Sequence, residues 1–129
     1  MDLKYATLII LLALLQYVWF TVRVGATRGK YNVNAPACEG NETWERCFRV
    51  QQNTMEQLIM LIPATIAFAY YTSPTWVLLP GAVFIGGRFL YSNHYIKDPK
   101  SRAPGMIMTL AANATLIIGA LVGLLQTML

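Results

Sequence analysis

Arg46-Cys47-Phe48-Arg49-Val50-Gln51-Gln52-Asn53-Thr54-Met55-Glu56-Gln57 runs directly into Leu58-Ile59-Met60-Leu61-Ile62-Pro63. Charged and amide side chains thus open a segment that is otherwise apolar and of membrane-spanning length. At 3.6 residues per turn, Arg49, Gln52, Asn53 and Glu56 share one narrow helical face. A guanidinium, two amides and a carboxylate aligned at membrane depth are costly, and such groups mark a site by default. The plainer alternative is that Arg49 and Glu56 neutralise one another and hold helices together.

Outward from this segment the chain is strongly apolar. Of its 129 residues 56% are apolar and 12% charged, with mean hydropathy +0.45. That charged share is about half the usual one for a soluble domain. The length fits one small domain over residues 1–129. The net charge of +4 comes from basic residues dispersed among apolar runs, which argues against nucleic-acid binding. Cys38 and Cys47 form no Cys-x-x-Cys pair and have no histidine cluster beside them, so free thiols and no metal are expected.

Four apolar spans are legible. Tyr5 to Val22 is the first, read as a retained helix although Lys4 and Val24-Gly25-Ala26 also resemble a signal peptide. Residues 24–45 read as a polar connection, and the sequon Asn41-Glu42-Thr43 within it as chance. The second helix is expected from about Glu45 to Tyr71, kinked at Pro63. After the turn Thr72-Ser73-Pro74, a third span covers Thr75 to about Tyr95. Its Gly81, Gly86 and Gly87 allow close helix packing, and Arg88, Tyr91 and Tyr95 share a face. Arg88 suits an ion pair with a neighbouring helix at least as well as a ligand contact, and Tyr91 and Tyr95 suit interfacial aromatics as well as a site. The lone His94 reads as a surface residue. Lys97 to Arg102 form a turn, with Ser101 as a cap and Pro104 in the first turn of an uncharged fourth span, Met106 to Leu129.

The expected fold is therefore all-α, an integral-membrane four-helix bundle. Both termini then share one side. Arg23, Arg28, Lys30, Arg46, Lys97, Lys100 and Arg102 flank loops one and three, while Lys4 stands alone opposite. The positive-inside rule places those loops in the cytoplasm, under either a bacterial inner membrane or an endoplasmic reticulum.

The polar face suits a small zwitterionic peptide with more than one carboxylate. Arg49 and Arg28 offer forked cations, Glu56 an anion for an ammonium group, Gln51, Gln52 and Asn53 amide partners, and Tyr91 and Tyr95 hydroxyls. Glutathione is such a peptide and carries a thiol. A thiol of pKa roughly 8.5 reacts as its thiolate. Ionising most of it at neutral pH takes about 2.7 kcal/mol. One guanidinium in a poorly hydrated site can supply that, and Arg102, at the mouth of the fourth helix, is the candidate.

The run Glu45-Arg46-x-x-Arg49-x-x-x-Asn53-x-x-Glu56, followed by Ile62-Pro63, resembles the signature of the MAPEG proteins, the membrane-associated proteins of eicosanoid and glutathione metabolism. Gly87-Arg88-x-x-Tyr91-x-x-x-Tyr95 with Arg102 is similar to the glutathione-transferase and leukotriene-C-synthase branch. The resemblance implies a homotrimer with glutathione between protomers. Arg49, Asn53, Glu56, Tyr91 and Tyr95 would hold it, Gln51 and Arg28 would reach it from the neighbour, and Arg102 would stabilise the thiolate. It implies a detoxifying transferase acting on lipophilic electrophiles within membrane lipid, with a glutathione peroxidase activity toward lipid hydroperoxides as an extension. The alternatives are a non-enzymatic lipid-binding scaffold and a glutathione-dependent prostaglandin-type isomerase. Gln57 replaces the tyrosine of leukotriene-C synthase, and Ala103 replaces the serine that follows the catalytic arginine in prostaglandin-E synthase.

Overall fold

The computed structural model describes residues 2–129. Four helices carry the chain: α1 Lys4–Tyr31, α2 Glu42–Tyr71, α3 Leu78–Lys97 and α4 Ala103–Met128, with a 3-10 turn at Pro99–Ser101 before α4. There is no strand among the described residues. α1 and α4 are each long and apolar enough to cross a membrane. At 1.5 Å per residue, the 30 residues of α2 extend roughly 45 Å, more than a hydrocarbon core of about 30 Å, so its polar first turns need not lie in the core.

Several boundaries differ from the sequence expectation, each for a local reason. α1 does not stop at Val22 but runs on to Tyr31, so residues 24–31 are helix and the connection shrinks to 32–41. Trp44 holds this extension: its buried indole donates to the Val24 carbonyl at 3.0 Å. Asn32, at φ 56°, closes the helix in the left-handed conformation that asparagine tolerates. α2 starts three residues early because the Asn41 side chain accepts from the Trp44 amide, with Glu42 and Glu45 in the first turn complementing the helix dipole. It continues through Pro63. α3 begins at Leu78, not Thr75, since the Ser73 hydroxyl accepts from the Thr75 and Trp76 amides and sustains a turn there. Ser101 does not cap α4; its hydroxyl donates back to the carbonyls of His94 and Asp98. Nor is His94 a fully exposed surface residue: it is half-buried, with Nδ1 shielded and unpartnered among the described residues.

The interior is apolar, built on Ala13, Leu61, Phe68, Phe84, Ala112 and Leu116. Large apolar side chains also cover the outer faces, among them Leu11, Leu15 and Trp19 of α1 and Ile107, Leu110 and Ile118 of α4. α3 and α4 meet closely at Gly87 and Gly105, where a Cβ on Gly105 would strike the Tyr91 backbone and the Gly87 carbonyl. Backbone leaves nothing to rotate away. Gly105→Ala is therefore expected to destabilise the protein by about 1–3 kcal/mol, seen as a lower thermal midpoint in detergent. An unchanged midpoint would mean the two helices part freely.

Candidate functional site

α2 presents Arg49, Gln52, Asn53 and Glu56 toward Tyr91 and Tyr95 of α3, and these six residues line a polar hollow of about 150 Å³. A second hollow of about 230 Å³ adjoins it, sharing Arg49 and Gln52 and walled by Cys38, Glu39, Glu45 and Phe48. Together they form a groove along the first half of α2. The two tyrosine rings stack at 5.4 Å with an interplanar angle of 14°. Arg49 and Glu56 are exposed, and neither has an ion-pair partner among the described residues. The plain neutralisation of one by the other does not occur.

Arg88 sits directly behind this wall. It is 1% exposed, and its guanidinium lies 4.4 Å from the centre of the Tyr91 ring. Nη2 donates to Asn53 Oδ1 at 2.8 Å and to Thr54 Oγ1 at 3.0 Å. Nη1 donates to Thr109 Oγ1 at 3.4 Å. Of the two readings of Arg88, the ion pair is absent among the described residues; neutral oxygens and a ring face share the charge instead. One consequence concerns Asn53. With Oδ1 committed to Arg88, its amide NH₂ remains to serve the hollow as a donor.

A family model for MAPEG matches residues 6–122. This chain belongs to the MAPEG family. It is similar to an uncharacterized protein of Synechocystis, 39% identical over 124 residues that cover 96% of this chain and 90% of the relative. It is also similar to human microsomal glutathione S-transferase 2, at 35% over 112 residues, covering 86% and 76%. The bovine microsomal glutathione S-transferase 2 is 32% identical over 114 residues, covering 88% and 78%. MAPEG proteins are membrane-associated, in keeping with the two apolar helices.

The remaining expected residues lie elsewhere in this MAPEG chain. Gln51 points to α1, where Nε2 donates to the Tyr17 hydroxyl at 3.0 Å. Arg28 is in the last turn of α1 rather than in a loop. Its guanidinium stacks 4.5 Å from the Trp44 ring centre and donates to the Ala37 carbonyl at 2.8 Å. Neither residue lines the groove. Arg102 is exposed at the head of α4 and donates to the Pro99 carbonyl at 3.2 Å, outside the hollow's lining. It stands one turn before Gly105, which touches the Tyr91 backbone. Arg46 pairs with Glu42 and donates to the carbonyls of Ile96 and Lys97, fastening the start of α2 to the end of α3. Gln57 turns inward and accepts from Asn113 Nδ2 at 3.0 Å, so it is committed to α4 rather than to the groove.

Glu39, Phe48 and Cys38 were not expected in the groove, because only the folding back of residues 32–41 brings the first and last of them beside α2. The Arg88 partners Thr54 and Thr109 were also missed. Threonine is common in apolar spans, and nothing in the spacing marks these two.

Proposed function

We propose that this protein is a membrane glutathione transferase that activates the glutathione thiol as a thiolate for attack on lipophilic electrophiles. The observation that carries this reading is the hollow itself: one cation, one carboxylate and two amides, unpaired with one another, beside two stacked tyrosines. Arg49 would take a carboxylate in a fork, Glu56 the ammonium group, and the Asn53 amide a peptide carbonyl. The names of the human and bovine relatives support a glutathione substrate.

The groove is open along α2, and Arg28 and Gln51 face away from it. In the homotrimer we propose, a neighbouring protomer closes the groove and contributes those two side chains. Arg102 swings from Pro99 toward the sulfur and holds it ionised. The thiolate sulfur then forms the new bond to the electrophile, and the electrophile's leaving group departs or its double bond takes up a proton. Loops one and three face the cytoplasm, and the second substrate reaches the sulfur from the lipid. Reduction of lipid hydroperoxides by the same thiolate is an extension of this chemistry.

Isothermal titration of glutathione into the purified protein tests the reading. Saturable binding is expected, weakened roughly tenfold or more in Glu56→Gln, which loses a charge-assisted contact. Absence of heat in the wild type, with the fold intact, would instead favour the scaffold reading.

A further inference from the structure

A second polar cavity lies where α1 and α3 end and α2 begins, and it shares no residue with the groove. Its volume is about 500 Å³, and its lining includes Arg23, Tyr31, Thr43, Asn93 and Lys97 beside the apolar Ile96. Thr43 and Cys47, four apart on α2, form its floor on the face turned away from Arg49 and Asn53. Its two charges are both positive, and no carboxylate lines it.

Arg23 is the unusual member. Its guanidinium packs 4.9 Å from the centre of the Phe20 ring, and Nε and Nη2 are buried without a hydrogen-bond partner among the described residues. The residue as a whole is half-buried, and shielded guanidinium donors left without an acceptor are costly unless an anion compensates them. Lys97 faces it from the end of α3, and Arg46 fixes that end by donating to the Ile96 and Lys97 carbonyls. The hydroxyls of Tyr31 and Thr43 and the amide of Asn93 add neutral donors. The apolar run of α1 ends at Val22, so Arg23 stands where a membrane-spanning helix would meet the phospholipid phosphates. Basic pockets between helices at that level suit anionic headgroups.

We propose that this cavity binds the phosphate of an anionic phospholipid headgroup, with Arg23 and Lys97 as its cations. The claim is independent of the glutathione reading, since the two sites have different walls.

The test uses purified full-length protein in neutral detergent, titrated with phosphatidylglycerol, phosphatidylcholine or inorganic phosphate. Bound lipid is counted by native mass spectrometry, and the thermal midpoint is followed. Phosphatidylglycerol should bind and raise the midpoint; phosphatidylcholine should do neither. Lys97→Gln, at an exposed position, and Arg23→Gln should each weaken phosphatidylglycerol binding several-fold, and together roughly tenfold or more. Lys100→Gln, exposed and outside the cavity, should leave binding unchanged. Equal binding of the two lipids, or unaltered binding in Lys97→Gln, would overturn the proposal. A full effect from inorganic phosphate alone would replace the lipid by a soluble anion and overturn the headgroup assignment.

Discussion

Arg102→Ala is expected to lose most of the glutathione thiolate. If the bound thiol is held about two pH units below its ordinary value of roughly 8.5, the ionised fraction at pH 7 falls from about three-quarters to about 3% once the guanidinium is gone. The thiolate absorbance in the ultraviolet on adding glutathione should therefore drop on the order of 25-fold. Conjugation of a generic electrophile should fall only about threefold, because a thiolate about two units more basic is about eightfold more nucleophilic and offsets most of the lost ionisation. The sign with pH follows: the wild type is nearly flat above neutrality, whereas the variant gains rate up to about pH 9 as solvent ionises the thiol. Glutathione affinity should change little at about pH 5, where the thiol stays protonated, and should fall most at about pH 9, where the free thiol is itself ionised. Equal rates at pH 7 would remove Arg102 from the mechanism.

Arg88 is expected to show the second large effect, split between stability and binding. Arg88→Ala empties a fully buried volume between α2, α3 and α4 and strips a donor from Asn53 and Thr109. A loss of about 3 kcal/mol or more is expected. Arg88→Met keeps most of the volume and removes a desolvated charge, so its thermal midpoint should stay close to that of the wild type. Thr54 and Thr109 keep their own bonds to the Val50 and Gly105 carbonyls in that variant. Asn53 does not: its amide is freed to turn, and glutathione affinity should drop roughly tenfold. A stable Arg88→Met protein with wild-type affinity would show that Arg88 only fills space.

The helices and the groove were readable from the sequence for different reasons. Arg49, Asn53 and Glu56 stood out because charge and amide side chains are rare in apolar spans, and helical spacing alone gathers them. Tyr91 and Tyr95 followed from the same spacing on α3, and the structure sets them against that face. What the spacing could not give was the hierarchy behind the wall. Arg88 reads like Arg49 in the sequence, yet one is sealed on neutral oxygens and the other is open. Helix ends failed where a distant side chain decided them. Residues 24–31 look like loop until Trp44 is laid across them, and Asn41 looks like a chance sequon until its side chain is seen to start α2. Arg23 was counted only as a topology charge, because nothing local shows that its nitrogens are buried.

The contact of Gly87 with Gly105 leaves α3 and α4 no play against each other. They act as a single plank, with the tyrosines on one half and Arg102 at the tip of the other. Travel of the guanidinium must then come from its own side-chain torsions, not from the helix beneath it. On the proposed function, admission of a bulky apolar molecule would likewise fall to another seam. α1 meets α3 through side chains, Ile9 against Gly81 and Phe20 edge-on to Phe89, with one hydrogen bond from Gln16 to the Ile85 carbonyl among the described residues, a seam that rotamer changes can loosen where backbone contact cannot.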